Sequence, residues 1–340
     1  MNMVGFNNIT CPICGTGVKT DSFKEVYVSP YNKEEYKRYE CPNCDVHWWE
    51  PLKIIPEFYE SEVFEDYVAF HEGVGTRLGE NHKAFLKHFP SNVRGKLLDV
   101  GCGDGRFLKH AKEQGFEVWG IDFDKKSVEN VKRNLGIDTV FAMSLEEFYE
   151  YAKEKNLKFD VITFFEVLEH QDNPREFLDT VKGLLKDGGY IAGSVPNMDR
   201  LFVEIDWEYL HGDYPPHHFL RFPKSSLEKA LNFSGFKEVE VYKLDFLFIE
   251  LFPYLEKKLF GDLDKLKIKL KAMVLGNERK ARVYAVEELA KVSPSKGKAY
   301  ILMMLKLIRN AILLPFALGY IRNRLKKGYH LYFQACKLGS

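Results

Sequence analysis

The chain of 340 residues has no net charge, since 49 Lys and Arg face 49 Asp and Glu. A protein whose whole surface follows a phosphate backbone is strongly basic, so that class is disfavoured, although a local patch stays compatible with the balance. Nor is there a run of about 18 to 20 uninterrupted apolar residues, the length a membrane-crossing helix needs. The longest candidate, Tyr300 to Ile321, is broken by Lys306 and Arg309. Met1 to Thr10 lacks the basic start and apolar stretch of a secretory signal, which leads us to expect a cytoplasmic protein. Cysteine is scarce: six residues fall as two close pairs, Cys11/Cys14 and Cys41/Cys44, and two singles, Cys102 and Cys336. In a reducing compartment that composition reads as one metal site and two buried thiols rather than disulfides. No internal repeat is visible, and an aromatic content of 14% is too high for a disordered chain.

What is present divides the chain by texture. Residues 1–52 are turn-rich with alternating Tyr and Val, which suggests a small strand-and-turn module. Helical spacing follows at Phe58, Val63, Phe64, Tyr67, Val68, Phe85, Leu86 and Phe89. From Lys96 to about Asp245, apolar runs of four to six residues alternate with amphipathic segments, which predicts an α/β fold with a parallel sheet covered by helices on both faces. Pro174 marks the start of one helix, and Gly188 and Gly189 are read as lying past its end. The last hundred residues change again. Between Glu256 and Gly328, eighteen Lys and Arg stand against six Asp and Glu on helical Leu/Ile spacing. Two readings are open there: a helical subdomain with solvated cations, or a basic amphipathic surface lying on anionic lipid.

The chemistry begins in Leu97-Leu98-Asp99-Val100-Gly101-Cys102-Gly103-Asp104-Gly105, an apolar strand entering a glycine-rich turn. Such a turn brings backbone close to a nucleoside-bearing ligand. The glycines follow G-x-G-x-G and not the dinucleotide pattern. Asp99, two residues ahead of Gly101, would repel a pyrophosphate but suits a cationic amino-acid end. Twenty-one residues beyond Gly101 the next strand ends at Asp122, placed to accept both hydroxyls of a ribose.

On these residues the segment from about Asn81 to Asp245, with the closing strand Tyr329 to Ala335, resembles a class I S-adenosylmethionine-dependent methyltransferase, in the branch of ubiquinone-biosynthesis and sugar methyltransferases. The later Leu184-Leu185-Lys186-Asp187-Gly188-Gly189, His218-x-x-x-Phe222 and Leu227 to Gly235-Phe236 carry the same likeness. The resemblance implies a Rossmann-like seven-stranded sheet whose last strand is antiparallel, making 246–327 a helical insertion before it. It further implies that Asp99, Gly101, Cys102, Gly103 and Gly105 line the cofactor. Asp122 would hold the ribose, Phe123, Ser144 and Leu145 the adenine, and Phe165 and Glu166, after the fourth strand, would also contact the cofactor. Cys102 has a second reading, shared with Cys336, as a buried small residue.

After that fourth strand the chain has Glu166-Val167-Leu168-Glu169-His170, where methyltransferases of base amines usually carry Asn or Asp-Pro-Pro-aromatic, so base N-methylation is disfavoured. Transfer to oxygen or carbon requires a base. The candidates are His218, which the resemblance aligns with a histidine of sugar methyltransferases, His217 and His170. The resemblance places an aromatic residue where Arg221 stands. Trp207, Tyr209, Tyr214, Pro215 and Pro216 suit a loop roofing a substrate. Glu166, Glu169 and His170 also have a spacing that a divalent ion can use, one that is ordinary on a helix.

Cys11-Pro12-Ile13-Cys14 and Cys41-Pro42-Asn43-Cys44, with twenty-six residues between them, form two knuckles of a four-thiolate zinc ribbon. A module of about fifty residues needs such a staple, so the zinc is read as structural. The chain is therefore expected to comprise a ribbon over 1–52, a methyltransferase domain over 53–245 and 328–340, and a basic insertion over 246–327. Its acceptor is expected to be small or lipid-linked, such as a sugar or a polyprenyl phenol. Its seat is cytoplasmic, with peripheral contact to the inner membrane face through 256–328. Alternatives are an RNA methyltransferase gripping nucleic acid with ribbon and insertion, and a cofactor-binding protein without activity. No feature of the sequence fixes an oligomeric state.

Overall fold

The computed structural model describes residues 8–55, 58, 78–209, 212–245, 248, 251–261, 296–324 and 327–339. The expected helical stretch at Val63 to Val68 and residues 262–295 of the insertion lie outside the described residues. Two compact units are formed, one by Met1–Arg200, Gly212–Leu244 and Gly328–Ser340, the other by Leu201–His211 and Asp245–Lys327.

The first unit opens with strands β1 (Asn8–Thr10), β2 (Gly17–Lys19), β3 (Glu25–Val28), β4 (Glu35–Glu40) and β5 (His47–Glu50). Helix α1 (Glu80–His88) follows, and then strands and helices alternate: β6 (Lys96–Val100), α2 (Arg106–Glu113), β7 (Glu117–Asp122), α3 (Lys125–Leu135), β8 (Val140–Ala142), α4 (Leu145–Glu154), β9 (Phe159–Phe165), α5 (Pro174–Leu184) and β10 (Leu185–Pro196). Helix α6 (Val203–Tyr209) belongs to the second unit. Strand β11 (Leu220–Arg221), helix α7 (Lys224–Phe233) and strand β12 (Lys237–Lys243) return to the first. The second unit continues with α8 (Leu251–Phe260) and α9 (Lys296–Arg324), and strand β13 (His330–Cys336) closes the first.

Seven strands form one sheet in the order β12-β13-β10-β9-β6-β7-β8. Strand β13 runs antiparallel to both neighbours, while β10, β9, β6, β7 and β8 pair in parallel. This is the Rossmann-like methyltransferase sheet that the resemblance implies. The central strands are apolar on both faces because helices cover both: Leu97, Leu98, Val161 and Ile162 are fully buried, and Phe85, Phe107, Leu108, Ala111, Val128 and Val131 of α1, α2 and α3 pack into one core with Leu97 and Val161. Strand order reverses at β6, and the crevice beyond the carboxyl ends of β6 and its neighbours is where an open α/β sheet receives a ligand. Helix starts follow their caps: Asp124 accepts from Lys126 N, Ser144 forms a capping box with Glu147, and Asn173 accepts from Glu176 N ahead of Pro174. Past the end of α5 lie Gly188 and Gly189, as the sequence leads one to expect. The helix stops at Leu184, and Gly188 and Gly189 lie within β10, at the irregularity between Leu185 and Tyr190 in its pairing with β9.

A second sheet, in the order β11-β5-β4-β3, joins the N-terminal module to a two-residue strand from beyond residue 200. In the other unit α8 and α9 pack together. Leu313 and Ala317 of α9, one turn apart, are buried, and Arg309 pairs with Glu256 at 3.1 Å. Among the described residues no helix is long and apolar enough to cross a membrane.

Candidate active site

Beyond Val100 the chain turns through Gly101, Gly103 and Gly105, with φ of 74°, 50° and 72°. L side chains avoid this left-handed region, so glycine is required here. Space requires it too: a Cβ on Gly101 would sit 2.8 Å from Val167 Cγ2, and one on Gly105 2.8 Å from Val131 Cγ2. The turn is tied to β7 because Gly101 N and Cys102 N donate to Ile121 O at 2.8 and 3.0 Å, and Gly103 N donates to Asp122 Oδ2 at 2.9 Å.

Asp99 lies beneath the turn, 3% exposed, and accepts from Thr163 Oγ1 at 2.7 Å. Burial, with the charge of Asp122 adding to it, pushes its carboxyl up to about 7 against the hydrogen bond from Thr163. Cys102 is buried, and burial pushes its thiol well above the ordinary range, so it is a packed small residue with no thiolate at neutral pH. Phe123, directly after Asp122 at the lip of the crevice, is 63% exposed. Ser144 Oγ is engaged in its cap, and Leu145 is buried below it. Phe165 packs edge-on against His82 and Phe107. Glu166, in the left-handed region at φ 57°, accepts from Ser194 Oγ at 2.6 Å and pairs with His330 Nε2 at 3.5 Å.

Three residues escaped the sequence reading. Asp104 and Arg106 form a fork, with the guanidinium 2.6 to 2.9 Å from both carboxylate oxygens. His82 of α1 stacks on Phe107 with its buried Nδ1 lacking a hydrogen-bond partner, and burial lowers its pKa to about 4. A single histidine on a helix gives no sequence signal of that position.

The turn after β9 carries Val167 against Gly101 and then a short 3-10 helix, Leu168–His170. Onto it folds the loop 212–219: Phe219 N donates to Glu169 O at 2.9 Å, and His170 Nδ1 is 2.7 Å from His217 O. The structure thus brings the three candidate histidines together, with ring centroids 4.2 to 4.7 Å apart. His218 Nδ1 lies 3.4 Å from Asp213 Oδ1, and Asp213 Oδ2 accepts from Arg200 Nη2 at 2.6 Å. Burial alone would raise the carboxyl of Asp213, but the hydrogen bond with His218 and the charge of Arg200 hold it well below the usual range. Burial, helped by the neighbouring rings, pushes His170 well down and His217 down to about 3, so both are neutral at pH 7. Glu169 is wholly buried, and burial followed by the charge of Glu166 raises it well above an ordinary carboxyl.

The same loop completes the N-terminal sheet. Leu220 pairs with Trp48 and Arg221 with His47, while Trp49 N donates to Phe219 O at 3.0 Å. Arg221 fills the place of an aromatic residue by stacking, its guanidinium carbon 4.6 Å from the Tyr214 centroid and 5.2 Å from that of Trp49. Tyr214 Oη donates to Glu25 Oε1 at 2.8 Å, so Tyr214, one of the residues expected to roof a substrate, grips the ribbon sheet.

In the ribbon the two knuckles repeat one geometry. Gly15 N and Asp45 N donate to Cys11 O and Cys41 O at 3.0 Å each, and both residues are left-handed. Cys11 Sγ lies 3.6 Å from Cys44 Sγ, and Cys14 Sγ 3.4 Å from Cys41 Sγ. Sulfurs around a tetrahedral ion with ~2.3 Å bonds are ~3.8 Å apart, so the four cysteines fit a zinc ribbon.

A family model described as a methyltransferase domain matches residues 70–241. The ubiquinone biosynthesis O-methyltransferase of Azoarcus sp. (strain BH72) is 27% identical over 188 residues, covering 53% of this chain and 72% of that protein. The protein of the same name from Bordetella avium (strain 197N) is 27% identical over 170 residues, covering 46% and 70%. Among solved structures, phosphoethanolamine N-methyltransferase 2 of Haemonchus contortus, in complex with S-adenosyl-L-methionine, is 17% identical with a TM-score of 0.50, covering 89% of this chain and 71% of that one, a likeness of fold. With half of its length matched by the family, and with the glycine turn and sheet order in place, the chain belongs to the methyltransferase-domain family and is a class I S-adenosylmethionine-dependent methyltransferase.

Proposed function

We propose that this enzyme transfers a methyl group to a hydroxyl of a lipid-linked phenolic acceptor. The observation that carries the reading is the histidine cluster beside the glycine turn, with His218 backed by Asp213. Oxygen methylation demands a proton acceptor of this kind. The kinship to ubiquinone biosynthesis O-methyltransferases supports the phenolic class, and a small acceptor takes precedence over the RNA alternative because those relatives are named for a quinone pathway.

S-adenosylmethionine, when bound, supplies an electrophilic methyl group on a sulfonium centre. The crevice suits it: glycines leave room for a close approach, and the buried Asp99 meets a cationic amino-acid end. In this reading Gly101, Cys102, Gly103 and Gly105 line the methionine side, and Asp122 accepts from ribose hydroxyls. Phe123, Ser144 and Leu145 face the adenine, and Phe165 and Glu166 border the cofactor. His218, its ring set through Nδ1 by Asp213, takes the hydroxyl proton at Nε2 while the acceptor oxygen bonds to the methyl carbon and the carbon–sulfur pair stays on sulfur. His170 and His217 stay neutral beside it. The cysteines hold structural zinc. Exposed Leu307, Ile308, Ile312 and Phe316 of α9, with exposed Lys306, support seating of the insertion on anionic lipid, where such an acceptor resides.

The test is demethylated-cofactor release with a panel of polyprenyl phenols, sugars and RNA. Turnover is expected with the phenols, falling about 10² to 10⁴-fold in His218→Ala. Turnover confined to sugars or RNA would overturn the acceptor class.

A further inference from the structure

We propose that Ser194 and His330 are positioning residues for Glu166. They hold its carboxylate at the mouth of the crevice, where the negative charge favours the positively charged cofactor over the neutral demethylated product. The role rests on the reading above that Glu166 borders the cofactor.

Glu166 is the first residue after β9 and lies in the left-handed region at φ 57°. Glycine enters that region freely, whereas a residue with a side chain pays for it in steric repulsion. What glycine would lack here is the carboxylate. Residues kept in such a conformation are held there by their surroundings, and they gather at functional sites.

The holding groups come from other elements. Ser194 of β10 pairs with Phe165 across the sheet; its carbonyl accepts from Glu166 N at 2.9 Å, and its Oγ lies 2.6 Å from Glu166 Oε1. His330, the first residue of β13, places Nε2 3.5 Å from Glu166 Oε2. Both carboxylate oxygens are thus engaged, one from each strand.

The hydrogen bonds fix the direction of this chain. His82 N donates to Asn81 Oδ1 at 2.9 Å, which leaves Asn81 Nδ2 as the atom 3.3 Å from Ser194 Oγ. An amide nitrogen only donates, so Ser194 accepts from Asn81 and gives its one proton to Glu166. A carboxylate only accepts, so His330 meets it with Nε2–H. A neutral imidazole serves for this and leaves the charge of the carboxylate in place.

Burial separates the two ends. Ser194 is fully buried, whereas the side chains of Glu166 and His330 are 30% and 33% exposed. The carboxylate is therefore anchored from below and open above. An ion pair so exposed adds little to stability, so stability does not account for a left-handed glutamate at this point. The turn that carries it lies against the glycine turn, because a Cβ on Gly101 would sit 2.8 Å from Val167 Cγ2. Charge matters in that crevice: the cofactor carries a sulfonium, and methyl transfer leaves a neutral thioether. A fixed carboxylate attracts the first and not the second.

The test is calorimetric titration of the full chain with S-adenosylmethionine and, separately, with its demethylated product. No acceptor is present, so the acceptor class does not enter the result. Glu166→Gln, which keeps the shape and removes the charge, is expected to lower the preference for the charged cofactor at least about tenfold. Glu166→Gly, which takes the left-handed turn freely, should lose the preference equally. Ser194→Ala/His330→Ala should lose most of it, His330→Gln should retain it by keeping a donor, and the double change should add nothing in a Glu166→Gln background. Wild-type preference in both Glu166 variants would overturn the reading of Glu166 itself. Loss in those variants with wild-type preference in Ser194→Ala/His330→Ala would leave Glu166 at the cofactor and overturn the positioning. Equal weakening of both ligands in Ser194→Ala/His330→Ala would reduce the two residues to a structural role and overturn it as well.

Discussion

Asp122 at the end of β7 holds the glycine turn by its side chain: Oδ2 accepts from Gly103 N, and Oδ1 accepts from Asp124 N, each at 2.9 Å. One carboxylate therefore joins the loop after β6 to the loop after its own strand, and it shapes the pocket that it is proposed to serve.

Replacing Asp122 by Ala is expected to lower the affinity for S-adenosylmethionine by at least about 100-fold. Two charge-assisted hydrogen bonds, each of about 1.5 to 3 kcal/mol, disappear from the turn along with any bonds to the ribose. Calorimetric titration with the demethylated product measures the loss, and wild-type affinity in the variant would show that the ligand lies elsewhere.

Asp99 makes the stability of the cofactor-free protein depend on pH. Its folded-state value of about 7 stands above the ordinary 3.8, so the contribution is fully present below pH 4 and is lost as pH rises to 7. The gap corresponds to roughly 4 kcal/mol at most. Asp99→Asn, which retains an acceptor for Thr163, should match the wild type near pH 4 and exceed it in stability at pH 8. Urea denaturation at the two pH values decides this, and a variant no more stable at pH 8 refutes the shift.

Removing zinc from the ribbon should reach the methyl-transfer site. Trp48 and Trp49 are fully buried in β5, which pairs with β11 directly after the histidine loop. Cys44→Ser, or exposure to a strong chelator, is expected to release one zinc, shift tryptophan emission to the red and reduce methyl transfer. Unchanged emission after zinc loss would mean that the sheet stands without the metal.

On α9, Leu307 and Ile312 are 54% and 62% exposed, so the double change to Glu leaves the packed face at Leu313 and Ala317 intact. Burial of each residue in lipid is worth about 1.5 to 3 kcal/mol. Binding to anionic vesicles should fall more than about tenfold in a sedimentation assay. Equal binding by wild type and variant would take this face out of any membrane contact.

The sequence by itself determined what short-range chemistry controls. Glycines at positive φ announced the turn after β6, the spacing of Asp122 announced the end of the second strand, and two Cys-Pro-x-Cys knuckles announced a four-sulfur cluster, because each is built within a few residues. Alternating apolar runs were enough for the α/β sheet. Only the tertiary structure decided that Gly188 and Gly189 continue a strand, that Arg221 lies over the rings of Trp49 and Tyr214, and that β11 extends the ribbon sheet. That last pairing, with Phe219 N on Glu169 O, carries His217 and His218 across 47 residues of chain to His170. Two-residue strand additions and buried carboxylates are stabilised by partners remote in sequence, so their local residues carry no periodicity that could announce them.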